Sequence, residues 1–459
     1  NIPGRFFNGN ENLIGFNTSI PPRTVDGYTL ISYYGRFVYT LANKYIFKFD
    51  ARTDGISKYN PDGRWGFFPA ASFAWRIKEE SFLKSSSTVN DLKLRVGYGE
   101  TGQQAGVGFY EYIPRYAIST PTAQYQMGNQ FFTMFRPVGY DPNLRWERTQ
   151  NINIGLDYAF FNNRLSGAID VFQRRSKDLL NVIPVVSGTN FTNLLRQNVG
   201  DLEARGVEFT VNAVPVQKRK LIWDIGFNIT YAKPEITNLI GREDPRFVGN
   251  RTGGIAGGTG NTIQINAVGG RPNAFYVHKQ VYDRNNQPIE GLYEDLNRDG
   301  IINDNDLYPY MSPDPNVFAG LTSNLTVGKF SGGFVARAFF DNYVYDNIGS
   351  NLGVRRNIFN PLGWINNAPA SYLNTNFANN QFFSDYYVQN ASFLRMDNIN
   401  VGYNAGAISR GVNMRVGLNL QNAFVITNYK GIDPEINGGI DNTFYPRPRT
   451  YTLSVNLDF

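Results

Sequence analysis

The chain has 459 residues, 15% of them aromatic, with 46 glycines, no cysteine, one histidine and a formal net charge of +6. Without cysteine there is no disulfide, thiol nucleophile or Cys-ligated metal, and the basic balance lacks the Lys/Arg cluster, recognition helix or zinc spacing that nucleic-acid binding requires. No apolar run approaches the roughly 18 residues of a membrane-crossing helix, while a mean hydropathy of −0.35 suits a soluble protein or a barrel in which only alternate residues meet lipid.

Residues 28–41 and 44–54 read as two strands joined by the very short turn Ala42-Asn43. In the second, Tyr45, Phe47, Phe49 and Ala51 fall on one face and Lys48, Asp50 and Arg52 on the other, the period-2 alternation of a strand. A loop with Asp62-Gly63 leads to 67–77, then a turn to 92–98, where Leu92, Leu94, Val96 and Tyr98 oppose Lys93 and Arg95. A stretch without regular pattern, 100–144, precedes 152–160, the turn Phe161-Asn162-Asn163 and a strand from Leu165. Another irregular stretch, 181–197, comes before 207–212, a short turn at 214–220 and 223–231. The longest irregular segment is 234–316, and 317–327, 334–340, 386–403 and 412–420 follow it. The chain closes on 451–459, with Tyr451, Leu453, Val455, Leu457 and Phe459 against Thr452, Ser454, Asn456 and Asp458.

About thirteen strands result, and short and long connections alternate almost without fault. Many strands run to ten residues or more, long enough to cross a bilayer at a tilt. An antiparallel meander with brief turns at one end and long loops at the other is the outer-membrane layout. A β-propeller would show a repeat of about 40–50 residues and strands of about five, and neither is visible. A soluble sandwich would give the same alternation. The expectation is therefore an all-β, membrane-spanning, up-and-down antiparallel β-barrel with long extracellular loops.

Several stretches in a fixed order resemble the SusC-like group of TonB-dependent outer-membrane transporters of Bacteroidetes. They include Arg64-Trp65-Gly66-Phe67-Phe68-Pro69, Leu92-Lys93-Leu94-Arg95 with Gly97-Tyr98-Gly99, and Asn143-Leu144-Arg145-Trp146-Glu147. Lys177-Asp178-Leu179-Leu180, Gly206-Val207-Glu208 and Tyr429-Lys430-Gly431-Ile432-Asp433-Pro434-Glu435 continue the series. The resemblance implies a barrel of twenty-two strands around an N-terminal plug, lidded by a SusD-like surface lipoprotein and energised by the TonB complex. On that plan residues 1–459 form the C-terminal part of one barrel domain, about 13 of the 22 strands, with plug, TonB-contacting region and early strands upstream of Asn1. The implied work is import of an oligosaccharide or peptide across the outer membrane of a Gram-negative, Bacteroidetes-like bacterium. A lidless siderophore or cofactor receptor and a secreted β-rich hydrolase are the rivals.

One local motif carries metal chemistry. Asp295, Asn297 and Asp299, then Gly300, the Ile301 carbonyl and Asp306, match the ligand spacing of a Ca²⁺ loop of EF-hand type, with Asp306 where Glu is usual. A structural Ca²⁺ held by these residues, Asn303 assisting through water, would cross-link the long 234–316 segment. The alternative is an Asx-rich turn held by side-chain-to-backbone bonds. Phe109, Tyr110 and Tyr112 are candidates for stacking on a sugar or peptide, or for packing their own loop. Catalysis has little to stand on. His278 is the sole possible triad base and no Gly-x-Ser-x-Gly elbow accompanies it, so it reads as a structural histidine. Glu79-Glu80 reads as a solvated turn, and the glycine run from Gly253 to Gly260 as a flexible loop without the Lys-Ser/Thr ending of a phosphate loop.

Overall fold

The computed structural model describes residues 27–459 except 120–122, 186–187, 189–190, 242–243, 245, 259, 360–361 and 443–444. The start of the chain at Asn1 therefore lies outside the described residues.

Thirteen strands form one antiparallel sheet in strict chain order. They are β1 (Leu30–Leu41), β2 (Tyr45–Ile56), β3 (Trp65–Arg76), β4 (Val89–Gln103), β5 (Glu147–Phe160), β6 (Leu165–Pro184) and β7 (Leu194–Lys218). Then come β8 (Leu221–Asn238), β9 (Val317–Val327), β10 (Phe330–Phe340), β11 (Phe393–Ser409), β12 (Val412–Thr427) and β13 (Thr450–Asp458). The expected meander of about thirteen strands is what forms. The short turns are tight because their residues accept left-handed backbone: Ala42 and Asn43, then Phe161, Asn162 and Asn163, have φ near +50 to +62°, where Asn is at home.

Strand length departs from expectation. The irregular segment 181–197 shrinks to nine residues, because β6 runs to Pro184 and β7 begins at Leu194. A bulge between Ala213 and Val216 carries β7 through the expected turn at 214–220 to Lys218. Polar residues such as Arg174, Gln197 and Glu203 interrupt the hydrophobic alternation there, yet the backbone keeps its ladder. A strand rising clear of an apolar solvent has no reason to alternate.

Register decides which residues share a face. Tyr39, Phe47, Phe73, Val96, Ile154, Val171, Val207, Tyr231 and Val317 lie side by side across nine strands. Trp223, Leu325, Gly332, Val401, Leu418 and Leu453 continue the same face to the last strand. Most of these side chains are exposed; Leu453 reaches 70%. A continuous exposed apolar belt of this size is foreign to a soluble monomer. The opposite face carries the charges, and they pair across strands. Arg95 donates to Asp157 at 2.7 Å and Asp170 at 3.0 Å, and Lys93 meets Asp157 at 2.7 Å.

At the short-turn end Glu80, between β3 and β4, ties the β1–β2 turn to β2 and β3. Its carboxylate accepts from Lys44 Nζ (2.7 Å), Tyr45 Oη (2.7 Å) and Trp75 Nε1 (3.1 Å). The hydrogen bonds from Lys44, Tyr45 and Trp75 lower its pKa from 4.5 to about 2. A depressed folded-state pKa gives stability that is fully present above the unfolded value and fades as pH falls through the folded one. Acid unfolding of wild type against Glu80→Gln is therefore expected to converge between pH 4.5 and 2 and to differ above it.

Candidate functional site

The last three connections at the other end do not hang separately. Residues 239–316 contain four short strands in one sheet: Asn250–Gly254, Thr262–Asn266, Ala274–Val277 and Tyr308–Pro309. A hairpin of Gln280–Tyr282 with Pro288–Tyr293 is added to them. The expectation of a segment with little regular structure is thus corrected. Sheet hydrogen bonds and an apolar core organise it. Ile255, Ile263, Phe275 and Val277 from this segment pack with Tyr345, Tyr387 and Val388 from residues 341–392, and Ile440 from 428–449 joins them. Gly253 and Gly254 close a strand, so the glycine run is partly sheet rather than free loop.

Polar bonds fasten the same three segments. Asn347 clasps Ala256 both ways, its amide donating to the carbonyl at 3.0 Å and accepting from the N–H at 2.7 Å. Gln264 Nε2 donates to the Gly438 carbonyl at 2.8 Å. Tyr343–Asp346 pairs with Val388–Asn390 and, in parallel, with Ile440–Asp441. Asp385 accepts from Tyr308 Oη at 2.8 Å and from the Gln280 N–H at 3.0 Å. Burial raises the pKa of Asp385 despite these donors.

The assembly is bolted to the charged face of the sheet. Arg395 on β11 is 2% exposed and donates to Asp433 at 2.6 Å and Asn422 at 2.8 Å. Arg337 on β10 makes a bidentate pair with Glu435 at 2.6 and 2.9 Å and also meets Asp397 at 2.8 Å. The loop therefore folds back over the charged face and not over the apolar one. In the sequence Asp433 and Glu435 are only part of a motif; their function as anchors follows from the positions of Arg395 and Arg337.

The proposed calcium residues occupy 295–306 as a self-bonded loop. Asp295 accepts from the N–H groups of Arg298 (2.6 Å) and Gly300 (2.8 Å), Asn297 from Asp299 N–H (2.9 Å), and Asp299 from Ile301 N–H (2.8 Å). Asp306 is fully buried, and its two oxygens take the N–H groups of Leu296 (2.9 Å), Asn297 (3.3 Å) and Asn303 (2.9 Å). Those backbone bonds lower its pKa. Among the described residues no group of three or more His, Cys, Asp or Glu side chains is placed to hold one ion. Asp295, Asp299 and Asp306 are thus not gathered into a three-carboxylate cage.

Phe109 packs against Tyr28 at 6.3 Å between centroids, with Lys58 Nζ 5.1 Å from its ring. Tyr110 takes φ +59° and, like Tyr112, is half-buried. His278 stacks on Tyr293 at 5.0 Å with its Nδ1 buried and without a hydrogen-bond partner, and burial lowers its pKa.

An exposed apolar belt on one face, ion pairs on the other, tight turns at one end and a folded loop assembly at the other define an outer-membrane β-barrel wall. The family follows from comparison: residues 3–288 match the model of the TonB dependent receptor-like, beta-barrel family, and the chain belongs to it. TonB-dependent receptor SusC of Bacteroides thetaiotaomicron is 41% identical over 444 residues, covering 94% of this chain and 44% of that protein. TonB-dependent receptor P3 of Formosa agariphila is 28% identical over 489 residues, covering 98% and 47%. The RagAB peptide transporter superposes with a TM-score of 0.75 at 22% identity, covering 94% and 48%, which shows a shared fold. The chain spans about half the length of the relatives it matches. It is SusC-like, its strands cross the outer membrane and its long loops are extracellular. The exposed apolar belt is the face suited to lipid and the charged face the one suited to water.

Proposed function

We propose that the chain is the C-terminal wall of a closed, twenty-two-stranded barrel that imports an oligosaccharide or peptide, powered by the TonB complex acting on an upstream plug region. The thirteen-strand count supports this. In an antiparallel meander β1 and β13 run in the same direction, so an all-antiparallel closure requires an odd number of further strands between them, nine for a total of twenty-two. The protein is a transporter and not an enzyme. A SusD-like surface lipoprotein would seat on the loop assembly, and the observation that carries this is that three loops share one core. Isolated mobile loops would offer no such platform; a rigid cap does. Phe109, Tyr110 and Tyr112 would contribute stacking surface to an incoming sugar or peptide. A lidless siderophore receptor would have less use for a fused cap. The test is uptake by the native bacterium: deletion of the full-length gene, or of TonB, should abolish growth on the nutrient, and tagged transporter should co-purify a surface lipoprotein.

A structural Ca²⁺ at 295–306 belongs to the same proposal. Asp295, Asn297, Asp299 and the Ile301 carbonyl supply oxygens of the right kind, each with a lone pair beyond its present hydrogen bond. Asp306 would join as a ligand by releasing an amide, or serve as the buried clamp it is now. Calorimetry on the intact transporter should show a calcium isotherm that Asp299→Ala loses; identical isotherms would leave the Asx turn as the loop's whole content.

A further inference from the structure

A cavity of about 780 Å³ opens between the loop segments 346–389 and 430–441, lined by Asp346, Ile348, Leu373, Tyr386, Ile432 and Asp441, among others. Two carboxylates share its wall because they are register partners in the parallel pairing of Tyr343–Asp346 with Ile440–Asp441. Asp441 is 2% exposed. Its Oδ2 accepts from Tyr429 Oη at 2.6 Å, and its Oδ1 is buried without a hydrogen-bond partner. Asp346 accepts from Gly349 N–H at 2.7 Å and Gln389 Nε2 at 3.3 Å. Burial, and then the charge of Asp441, raise the pKa of Asp346, and none of the groups acting on it is a cation.

An acidic pair with Asp441 buried and Asp346 half-buried is costly unless something positive meets it. Other deep carboxylates in this protein have their charge met, Asp433 by Arg395 and Asp306 by three backbone N–H groups across both oxygens. Here Lys430 lines the same cavity, but among the described residues no cation makes an ion pair with either acid. A bare metal ion suits the site poorly, since among the described residues no third acidic or histidine ligand is gathered there and the volume is that of a small organic ligand. The remaining lining is instructive. Ile348, Leu373, Ile432 and the Tyr386 ring give the cavity apolar wall beside the acids, and long cationic side chains are accommodated by such a mixture: methylenes along apolar surface, charge at the end.

We propose that this cavity binds a protonated amine or guanidinium on an aliphatic stem, the chemistry of a lysine or arginine side chain within a peptide. The site rests on the importer reading only for the extracellular placement of the loops. It would hold such a peptide whether or not the peptide is then carried through.

The test is calorimetric titration of the full-length transporter in detergent with acetyl-Ala-Lys-Ala-Ala-amide and with its norleucine counterpart, which keeps the stem and lacks the charge. The lysine peptide should bind roughly tenfold tighter or more, as expected of a hydrogen bond to a charged group. Asp346→Asn should remove the difference while keeping the cap on the short helix Asn347–Leu352, because Asn caps as well as Asp. Lys430→Gln, which takes a competing cation from the cavity lining and leaves both acids in place, should strengthen the lysine peptide's binding. Equal affinity for the two peptides, or discrimination that survives Asp346→Asn, overturns the proposal. Binding is read without transport, so failure of uptake in cells would count against the importer reading and leave the site standing.

Discussion

Replacing Arg395 with alanine is expected to destabilise the full-length protein by about 3–5 kcal/mol, the loss that follows when one partner of a buried ion pair is removed. The magnitude follows from what is left behind. Asp433 is 5% exposed, and its Oδ1 would keep the Glu435 N–H at 2.8 Å but lose the guanidinium. Arg447, 3.7 Å away on a more exposed side chain, compensates in part, which places the result toward the lower end. The β12 residue Asn422 also loses the donor it accepts from at 2.8 Å. Arg415 is the internal control. It lies 3.3 Å from Asp458 with both side chains more than half exposed, and Arg415→Ala should shift stability by no more than about 1 kcal/mol. Urea unfolding in detergent, followed by tryptophan fluorescence, distinguishes the two. A small loss for Arg395→Ala would mean that water reaches Asp433 and that the loop is not bolted to the wall. Arg395→Met, which fills the space without the charge, should cost as much as alanine if charge compensation governs the site, and less if packing does.

The wall was legible in the sequence and the cap was not, and the difference is physical. In β2, Tyr45, Phe47 and Phe49 alternate with Ile46, Lys48 and Asp50 because lipid lies on one side and water on the other, so the pattern is imposed twice at every residue. Boundaries were lost where that constraint ends: Arg174, Arg175 and Glu203 sit on β6 and β7 above the apolar belt, in strands that nothing forces to alternate. In the cap, Ala274, Phe275, Tyr276 and Val277 are consecutive and all buried, because a short strand covered on both faces has no period to read. Its partners are far away in the chain. Phe275 packs with Tyr345 and Tyr387, and no local signal announces such a meeting. The acidic pair Asp346 and Asp441 was invisible for the same reason, being separated by 95 residues of sequence and brought together by one parallel bridge. The 295–306 motif was visible because all of its oxygens are local, and for that same reason the spacing says nothing of whether they converge on an ion.

Introducing a lysine at Ile154 is the second large effect to expect, a loss of about 2–4 kcal/mol, with the same substitution at the neighbouring Asn153 costing far less. Ile154 lies at the middle of β5, in the row that joins Phe73 and Val96 on one side to Val171 and Val207 on the other. It is 50% exposed, and in the membrane that exposed surface meets hydrocarbon. A lysine there must either bring its ammonium into the bilayer midplane or reach several ångströms along the strand to the interface, and the charge carries the quoted penalty. Asn153 points to the other face, where its register partners are Gly97 and Phe172. That face already holds Arg95, Lys93, Asp157 and Asp170 in mutual contact, and a further ammonium finds water and carboxylates. The contrast between adjacent residues is the informative quantity, because composition, expression and strand propensity are nearly matched. Folding yield into lipid vesicles and unfolding in guanidinium from those vesicles would measure it. Equal losses at 153 and 154 would mean that both faces of β5 are covered by protein, as in a soluble sandwich; a larger loss at 153 would reverse the assignment of lipid and lumen for all thirteen strands, because one register links them.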